Sequence, residues 1–370
     1  MIDIINKPGG LILTSDFPEL SVSTTHESLL VKIVRLDEKS AITLYSEKLS
    51  AYNGEIILED IGSIIESEMR SHALCMAEFQ FTFQAVDLSE TLNMDFKAVY
   101  CEASNILGAN LEKFLETNFL TTCKNRRISP DFTFVLSFID TSDSRDIPMA
   151  YINMRNKLSG AVTQIAASLS AVKNRDGSCS IDIFKVELQA QAIKKGYDVI
   201  KEYEIISFSV ECGQRYASFF IDCSLLMAET FFFMNYFNVR EAVDIAGMTK
   251  YKFDVDRSLA RMPGKSVFYD RKITKTHELN TAPMVLEEVE FLEQLAASPS
   301  AYRLERVKQT DGSYSYKVSE ILITDVDVQY NDDDKTQTVK FTWRYANNRP
   351  GIYLDSPERI FTSQFNNVYS

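Results

Sequence analysis

Apolar and polar positions alternate along much of this chain. Phe79, Phe81 and Phe83 are separated by Gln80 and Thr82, and Phe132, Phe134, Leu136 and Phe138 repeat the pattern. So do Ile206, Phe208 and Val210, and Val339, Phe341, Trp343 and Tyr345. A period of two sends successive side chains to opposite faces, so each segment predicts a strand with one face buried. One-faced strands favour antiparallel sheets. The turn chemistry agrees. Asn53–Gly54, Asp176–Gly177 and Asp311–Gly312 suit tight turns with positive φ at the central positions. Asn331–Asp334 bridges two alternating runs, Ser319–Tyr330 and Thr336–Tyr345, and predicts a long hairpin with a polar tip.

Helical spacing is rarer. Ile61, Ile64, Ile65 and Met69 follow Asp60, whose short acid suits an N-cap. Asn110–Leu115 predicts one short turn of helix. The longest helical pattern is Met284–Ser298, with Val285, Leu286, Val289, Leu292, Leu295 and Ala296 on one face. Pro283 fits its start and Pro299 its stop, and Glu287, Glu288 and Glu290 lie where the helix dipole favours acid. Residues 183–193 read either way. Phe184, Val186, Leu188 and Ala190 alternate like a strand, whereas Ile183, Val186, Ala190 and Ile193 step like a helix.

A weak internal repeat runs through the first half. Residues 28–86 and 161–211 share an order of strand, Gly-containing turn, strand, amphipathic segment and strand. Its anchors are Gly54–Ile61 and Gly177–Ile183. The fold class expected is mainly β: tandem antiparallel β-sandwich or barrel domains, a few short helices and the amphipathic helix near 284–298. The expected divisions are a first sandwich over 1–110, a second over 111–214, a third β-rich domain over 215–350 with a polar middle, and an extended tail over 351–370.

Composition narrows the function. The 370 residues hold 39 Lys and Arg against 52 Asp and Glu, a formal charge of −13. That balance disfavours a general nucleic-acid binder, whose affinity comes mainly from cations on phosphates. No apolar run approaches the ~20 residues of a membrane-spanning helix, and the start lacks a basic leader. The six cysteines form no C-x-x-C pair and read as free, mostly buried thiols. No phosphate-cradling glycine motif occurs. His26, His72 and His277 all sit in polar stretches and read as surface histidines, so a nucleophile has no evident base. Asp254 with Asp256, and Asp325 with Asp327, read as solvated strand faces. Asp332–Asp334 reads as a charged hairpin tip that discourages aggregation, although several carboxylates on a loop also suit Ca²⁺. The expectation is no catalytic set, no cofactor and no metal.

The densest aromatic stretch is Phe231–Phe232–Phe233 with Tyr236 and Phe237. Consecutive aromatics occupy both faces of a strand. They suit either a two-sided core strand or a surface where another subunit packs. Asn235–Asn238 could also offer a sugar-stacking platform. The stretch Glu229–Glu241, together with the terminal run Ile321–Asn347, resembles uncharacterised tail or baseplate proteins of phages and prophages of gut Bacteroidetes. The segment Leu58–Met69 in its β-rich setting is similar to the same group. The resemblance implies a structural virion protein of the tail tip, distal tail or baseplate, assembled in the host cytoplasm. Its partners would be itself, in a ring-like homo-oligomer, and other tail proteins. The candidate interface is Phe231, Phe232, Phe233, Tyr236 and Phe237, with Ile360, Phe361 and Phe365 on a tail that could clasp a neighbour. The alternative is an adhesin or receptor-binding module that grips host glycan.

Overall fold

The alternating segments are strands, and they build sandwich-type antiparallel sheets, as the one-sided pattern demands. The computed structural model describes residues 1–37, 40–104, 108, 110–140, 146–225, 228–308, 314–328 and 337–347. Two compact units emerge. The first comprises Met1–Cys223 with Met234–Glu241, and the second Ser224–Phe233 with the chain from Ala242 on.

The first unit contains one module twice. The first copy runs β1 (Ile2–Ile4), β2 (Leu11–Leu13), β3 (Leu20–Thr24), β4 (Ser28–Asp37), β5 (Ser40–Ser50), β6 (Glu55–Leu58), α1 (Ile61–Ser71), β7 (Met76–Ala85) and β8 (Thr91–Val99). After α2 (Leu111–Thr117) come β9 (Asn125–Ile128), β10 (Thr133–Phe138), β11 (Met149–Asn156), β12 (Val162–Ser168), β13 (Val172–Lys173), β14 (Cys179–Phe184), α3 (Lys185–Lys194), β15 (Tyr203–Cys212) and β16 (Arg215–Ile221). The large sheets follow the orders β2-β8-β7-β4-β5 and β9-β16-β15-β11-β12. In each, the outermost short strand is parallel to its neighbour, β2 to β8 and β9 to β16. In each, a small sheet pairs the next strand with the one that precedes the helix, β3 with β6 and β10 with β14. The copies differ at the small sheet's third strand, which is β1 beside β3 in one and β13 beside β14 in the other. The repeat therefore begins earlier than its sequence signature, at β2 and β9.

Packing explains the alternation. Leu20 and Val22 of β3, Leu29, Val31 and Ile33 of β4, and Phe79, Phe81 and Phe83 of β7 share one core with Ile61, Ile65 and Met69 of α1. In the second copy the ring of Phe134 on β10 lies 4.3 Å from Phe219 and 5.8 Å from Phe208, joining small sheet to large. The ambiguous segment is the helix α3, with Leu188 and Ala192 buried while Val186 is exposed.

Two local expectations need correcting. Asn53–Gly54 does form a tight turn with φ of 54° and 80°. Tyr52 and Glu55 close it as an antiparallel bridge, with amide-to-carbonyl distances of 2.8 and 3.0 Å, but beyond that bridge β5 and β6 part into different sheets, so the hairpin is one pair long. Asp60 precedes α1, but its backbone is left-handed (φ 56°) and its side chain makes no capping hydrogen bond. Asn110 does cap α2, accepting from the Lys113 amide at 3.0 Å.

The second unit is built on a seven-stranded sheet. Its strands are β17 (Glu229–Met234), β18 (Arg240–Ile245), β19 (Gly247–Met262), β20 (Lys265–Thr281), β21 (Ala301–Lys308), β22 (Tyr314–Val328) and β23 (Val339–Tyr345), in the order β18-β17-β21-β22-β23-β20-β19. The helix α4 (Leu286–Ala297) packs on it through Val289, Phe291, Leu292 and Leu295, with the Phe291 ring 5.3 Å from Phe233. Val285 and Leu286, expected on the buried stripe, are about half exposed. They sit at the helix start, and the stripe is centred instead on the contact with Phe233. The expected polar middle is the long hairpin β19–β20, closed by Pro263 and Gly264 (φ 82°). The β22–β23 pair forms the expected terminal hairpin. Its Asn331–Asp334 tip, the Asp311–Gly312 turn and the tail 351–370 lie outside the described residues.

Candidate functional site

The aromatic run is core. Phe231, Phe232 and Phe233 on β17 are all buried. Phe231 makes edge contacts with Phe341 at 5.5 Å and Trp343 at 6.1 Å. Phe237 is buried in the first unit, stacked on Phe114 at 5.8 Å, and Tyr236 is half-buried. Alternate side chains of β17 point to opposite faces, and both faces are covered, so Phe231, Phe232 and Phe233 offer no open surface to a neighbour. The remaining candidates, Ile360, Phe361 and Phe365, lie outside the described residues.

The neighbouring asparagines are structural too, which removes the sugar platform. Asn235 donates to the Leu120 carbonyl at 2.7 Å and to Glu241 Oε2 at 2.8 Å, and its Oδ1 accepts from the Phe237 amide at 2.9 Å. Asn238, at φ 56°, donates to the Met69 and Leu74 carbonyls. Glu241 also pairs with Arg126, and both side chains are buried. Arg126 donates further to Thr121 Oγ1 at 2.6 Å and the Cys123 carbonyl at 2.7 Å. Burial pulls its pKa down to about 10, which leaves it charged at neutral pH. This network ties residues 235–241 into the first unit.

A second buried cluster lies in the second unit. His277, expected at the surface, is buried on β20 and stacks on Trp343 of β23, its register partner. Burial and then the nearby Arg303 hold its pKa below the ordinary 6.5. Arg303 lies 5.1 Å from the Trp343 ring, donates to Tyr345 Oη at 2.7 Å and pairs with Glu229 at 2.9 Å. Tyr345 in turn donates to Glu305, and burial, then that hydrogen bond, raises its pKa to about 12. Trp343 Nε1 and His277 Nδ1 are buried without a hydrogen-bond partner. The cluster stitches β17, β20, β21 and β23 together across one face of the sheet.

Among the described residues, two open surfaces stand out. One is a groove of about 470 Å³ at the start of α1, lined by Thr14, Ser15, Phe17 and Gly62 and edged by Glu19, Asp60 and Glu66. The other is the hairpin β19–β20. Only His277–Asn280 of β20 pair with β23, so residues 250–276 have no strand neighbour except each other among the described residues. Thirteen residues at ~3.3 Å each give a free ribbon about 40 Å long. Its apolar side chains are uncovered: Tyr251 is 72% exposed, Phe253 59%, Leu259 60% and Phe268 55%. The signal for this ribbon is present in the sequence as the alternation Tyr251, Phe253, Val255 followed by Arg257, Leu259 and Arg261, with Pro263–Gly264 as its turn.

Among the described residues no group of three or more His, Cys, Asp or Glu is placed to hold a metal ion, and no helix is long and apolar enough to cross a membrane. Five of the six thiols are buried, while Cys223 is exposed.

The fold thus defines a mainly β protein of sandwich-type sheets. No family model matches the chain, and no curated protein matches it. Among solved structures that match, one described as "Crystal structure of Hcp protein" aligns with 32% of this chain and 88% of its own length, at 11% identity and a TM-score of 0.19. An overlap that loose defines neither fold nor role.

Proposed function

We propose that this chain is a structural subunit of a phage tail, in the tail tip, distal tail or baseplate, where it packs into a ring with copies of itself and with other tail proteins. On this reading its work is contact and not turnover, and it is assembled in the host cytoplasm before residing in the virion.

The observation that carries the reading is how the two module copies meet. The Asp176–Gly177 turn of the second copy seats on the first copy, where the Asp176 carbonyl accepts from the Cys75 and Met76 amides, both at 2.9 Å. A Cβ at Gly177 would lie 2.8 Å from the Met76 carbonyl oxygen, so the approach is close. The corresponding turn of the first copy, Asn53–Gly54, meets its own Thr24 carbonyl, and the adjacent Tyr52 is 81% exposed. One copy's turn therefore meets a different surface of the other copy. A contact of that heterologous kind, continued from chain to chain, generates a ring where its rotation closes. The resemblance of Glu229–Glu241 and Ile321–Asn347 to phage tail and baseplate proteins supports the same reading.

The test is absolute mass by light scattering over a range of concentrations, with negative-stain images of the same fraction. Closed rings are expected. A monomer at every concentration, alone and with the tail proteins encoded beside it, overturns the reading.

A further inference from the structure

We propose that the β19–β20 ribbon is a docking arm that binds an acidic surface on a second copy of this chain. The proposal rests on the assembly reading above and names the element that would carry it.

One face of the ribbon has the make-up of an interface. Alternation and register place Tyr251, Phe253, Arg257, Leu259, Arg261 and Phe268 together on it. The Tyr251 ring contacts that of His277 at 4.8 Å, and the Arg257 guanidinium lies 5.1 Å from the Phe268 ring, which fixes these residues to the same side. Asp254, Asp256 and Asp270 fall on the opposite face, where Asp254 pairs with Lys252. The first face thus combines aromatics and arginine with no carboxylate. Interface centres are enriched in those residue types and depleted in Asp and Glu.

Physical chemistry argues that this face is covered in the assembled state. A two-stranded ribbon with neither face packed is marginal in water, and its exposed apolar edge strand invites pairing or aggregation unless shielded. Charge selects the occupant. Lys250–Lys275 holds eight lysines and arginines against three aspartates, in a chain whose total is −13. The rest of the same polypeptide is therefore strongly acidic, and another copy is a partner of complementary charge always present at equal concentration. Complementary fields steer encounter and fix register.

The experiment uses the full chain and two double variants, Arg257→Glu/Arg261→Glu and Phe253→Ser/Phe268→Ser, followed by light scattering and sedimentation at low and at 0.5 M salt. Self-association of the wild type is expected to weaken at least tenfold in each variant. Raised salt should reproduce part of the loss for the wild type. Emission from Trp343, buried in the same sheet, reports whether each variant is folded. A photo-crosslinker at Leu259 in the otherwise wild-type chain gives a second reading independent of the charge changes, and an adduct to another copy is expected. If wild type and folded variants associate equally and no inter-copy adduct forms, the arm proposal fails while the assembly reading stands. A wild type that is monomeric at every concentration, alone and with the tail proteins encoded beside it, overturns both. Binding of a duplex DNA probe that is lost in the arginine variant, with self-association unchanged, overturns the proposal in favour of a nucleic-acid partner.

Discussion

The imidazole of His277 lies flat on the indole of Trp343, with ring centroids 3.9 Å apart and planes 11° from parallel. Trp343 is the chain's sole tryptophan, so its emission reports this one contact. Burial, and next the Arg303 cation, disfavour the charged imidazole and depress its pKa below 6.5. An imidazolium quenches an adjacent indole more strongly than a neutral ring does. Emission from the folded protein should therefore hold steady through neutral pH and fall with a midpoint below 6.5. The transition should vanish in His277→Gln. A midpoint above 6.5 would contradict the depressed pKa.

The same shift makes stability depend on pH. The unfolded chain takes up a proton at His277 near the ordinary value, and the folded chain only at lower pH. The contribution of a neutral, buried His277 is therefore fully present above about 6.5. It is lost progressively as pH falls from there through the folded pKa, and then levels off. Denaturant midpoints measured between pH 8 and pH 5 should fall less steeply in His277→Gln than in the wild type. Equal slopes would remove His277 from the account.

The Arg126–Glu241 pair gives a sharper stability test. Both groups are buried, and Asn235 and Thr121 satisfy further polar positions around them. Removing one partner strands the other charge, which costs about 3–5 kcal/mol. Glu241→Ala should lose stability in that range by urea unfolding. The double variant Arg126→Met/Glu241→Leu should recover much of it, because no buried charge is left. A loss under 1 kcal/mol in Glu241→Ala would mean the pair is effectively hydrated.

The sheets were legible in the sequence because half-burial imprints a period of two. Phe79, Phe81 and Phe83, or Phe134, Leu136 and Phe138, show their core face directly. The repeat was legible at Gly54 and Gly177, where the backbone conformation restricts the choice of residue. Three features were hidden for physical reasons. The β19–β20 ribbon is exposed on both faces, so the alternation of Tyr251, Phe253 and Val255 gives way to Arg257 and Arg261 on the same face, and the stretch reads as a polar middle. The Phe231–Phe233 run is covered on both faces, and composition alone does not separate such a strand from an interface. His277 sits among Thr and Lys in sequence. Its burial comes from Trp343, 66 residues further along, which no local pattern reveals.

The two anchor glycines should respond differently to the same substitution. Gly54 and Gly177 both have positive φ, 80° and 85°. An alanine in that region costs about 1–2 kcal/mol from its Cβ alone. At Gly54 the new methyl would sit 3.3 Å from the Thr24 carbonyl oxygen, a tight contact inside one module that a small shift relieves. At Gly177 it would sit 2.8 Å from the Met76 carbonyl oxygen and 3.1 Å from Met76 Cβ, both on the other module. That backbone is pinned by the hydrogen bonds from Cys75 and Met76 to Asp176, so the strain must be released by parting the modules. Gly54→Ala should lower stability by about the intrinsic amount and leave unfolding in a single transition. Gly177→Ala should cost more, and hydrogen exchange should rise first at the Cys75 and Met76 amides. Equal losses in the two variants, with those amides still protected, would show that the turn adds nothing to the joint between the modules.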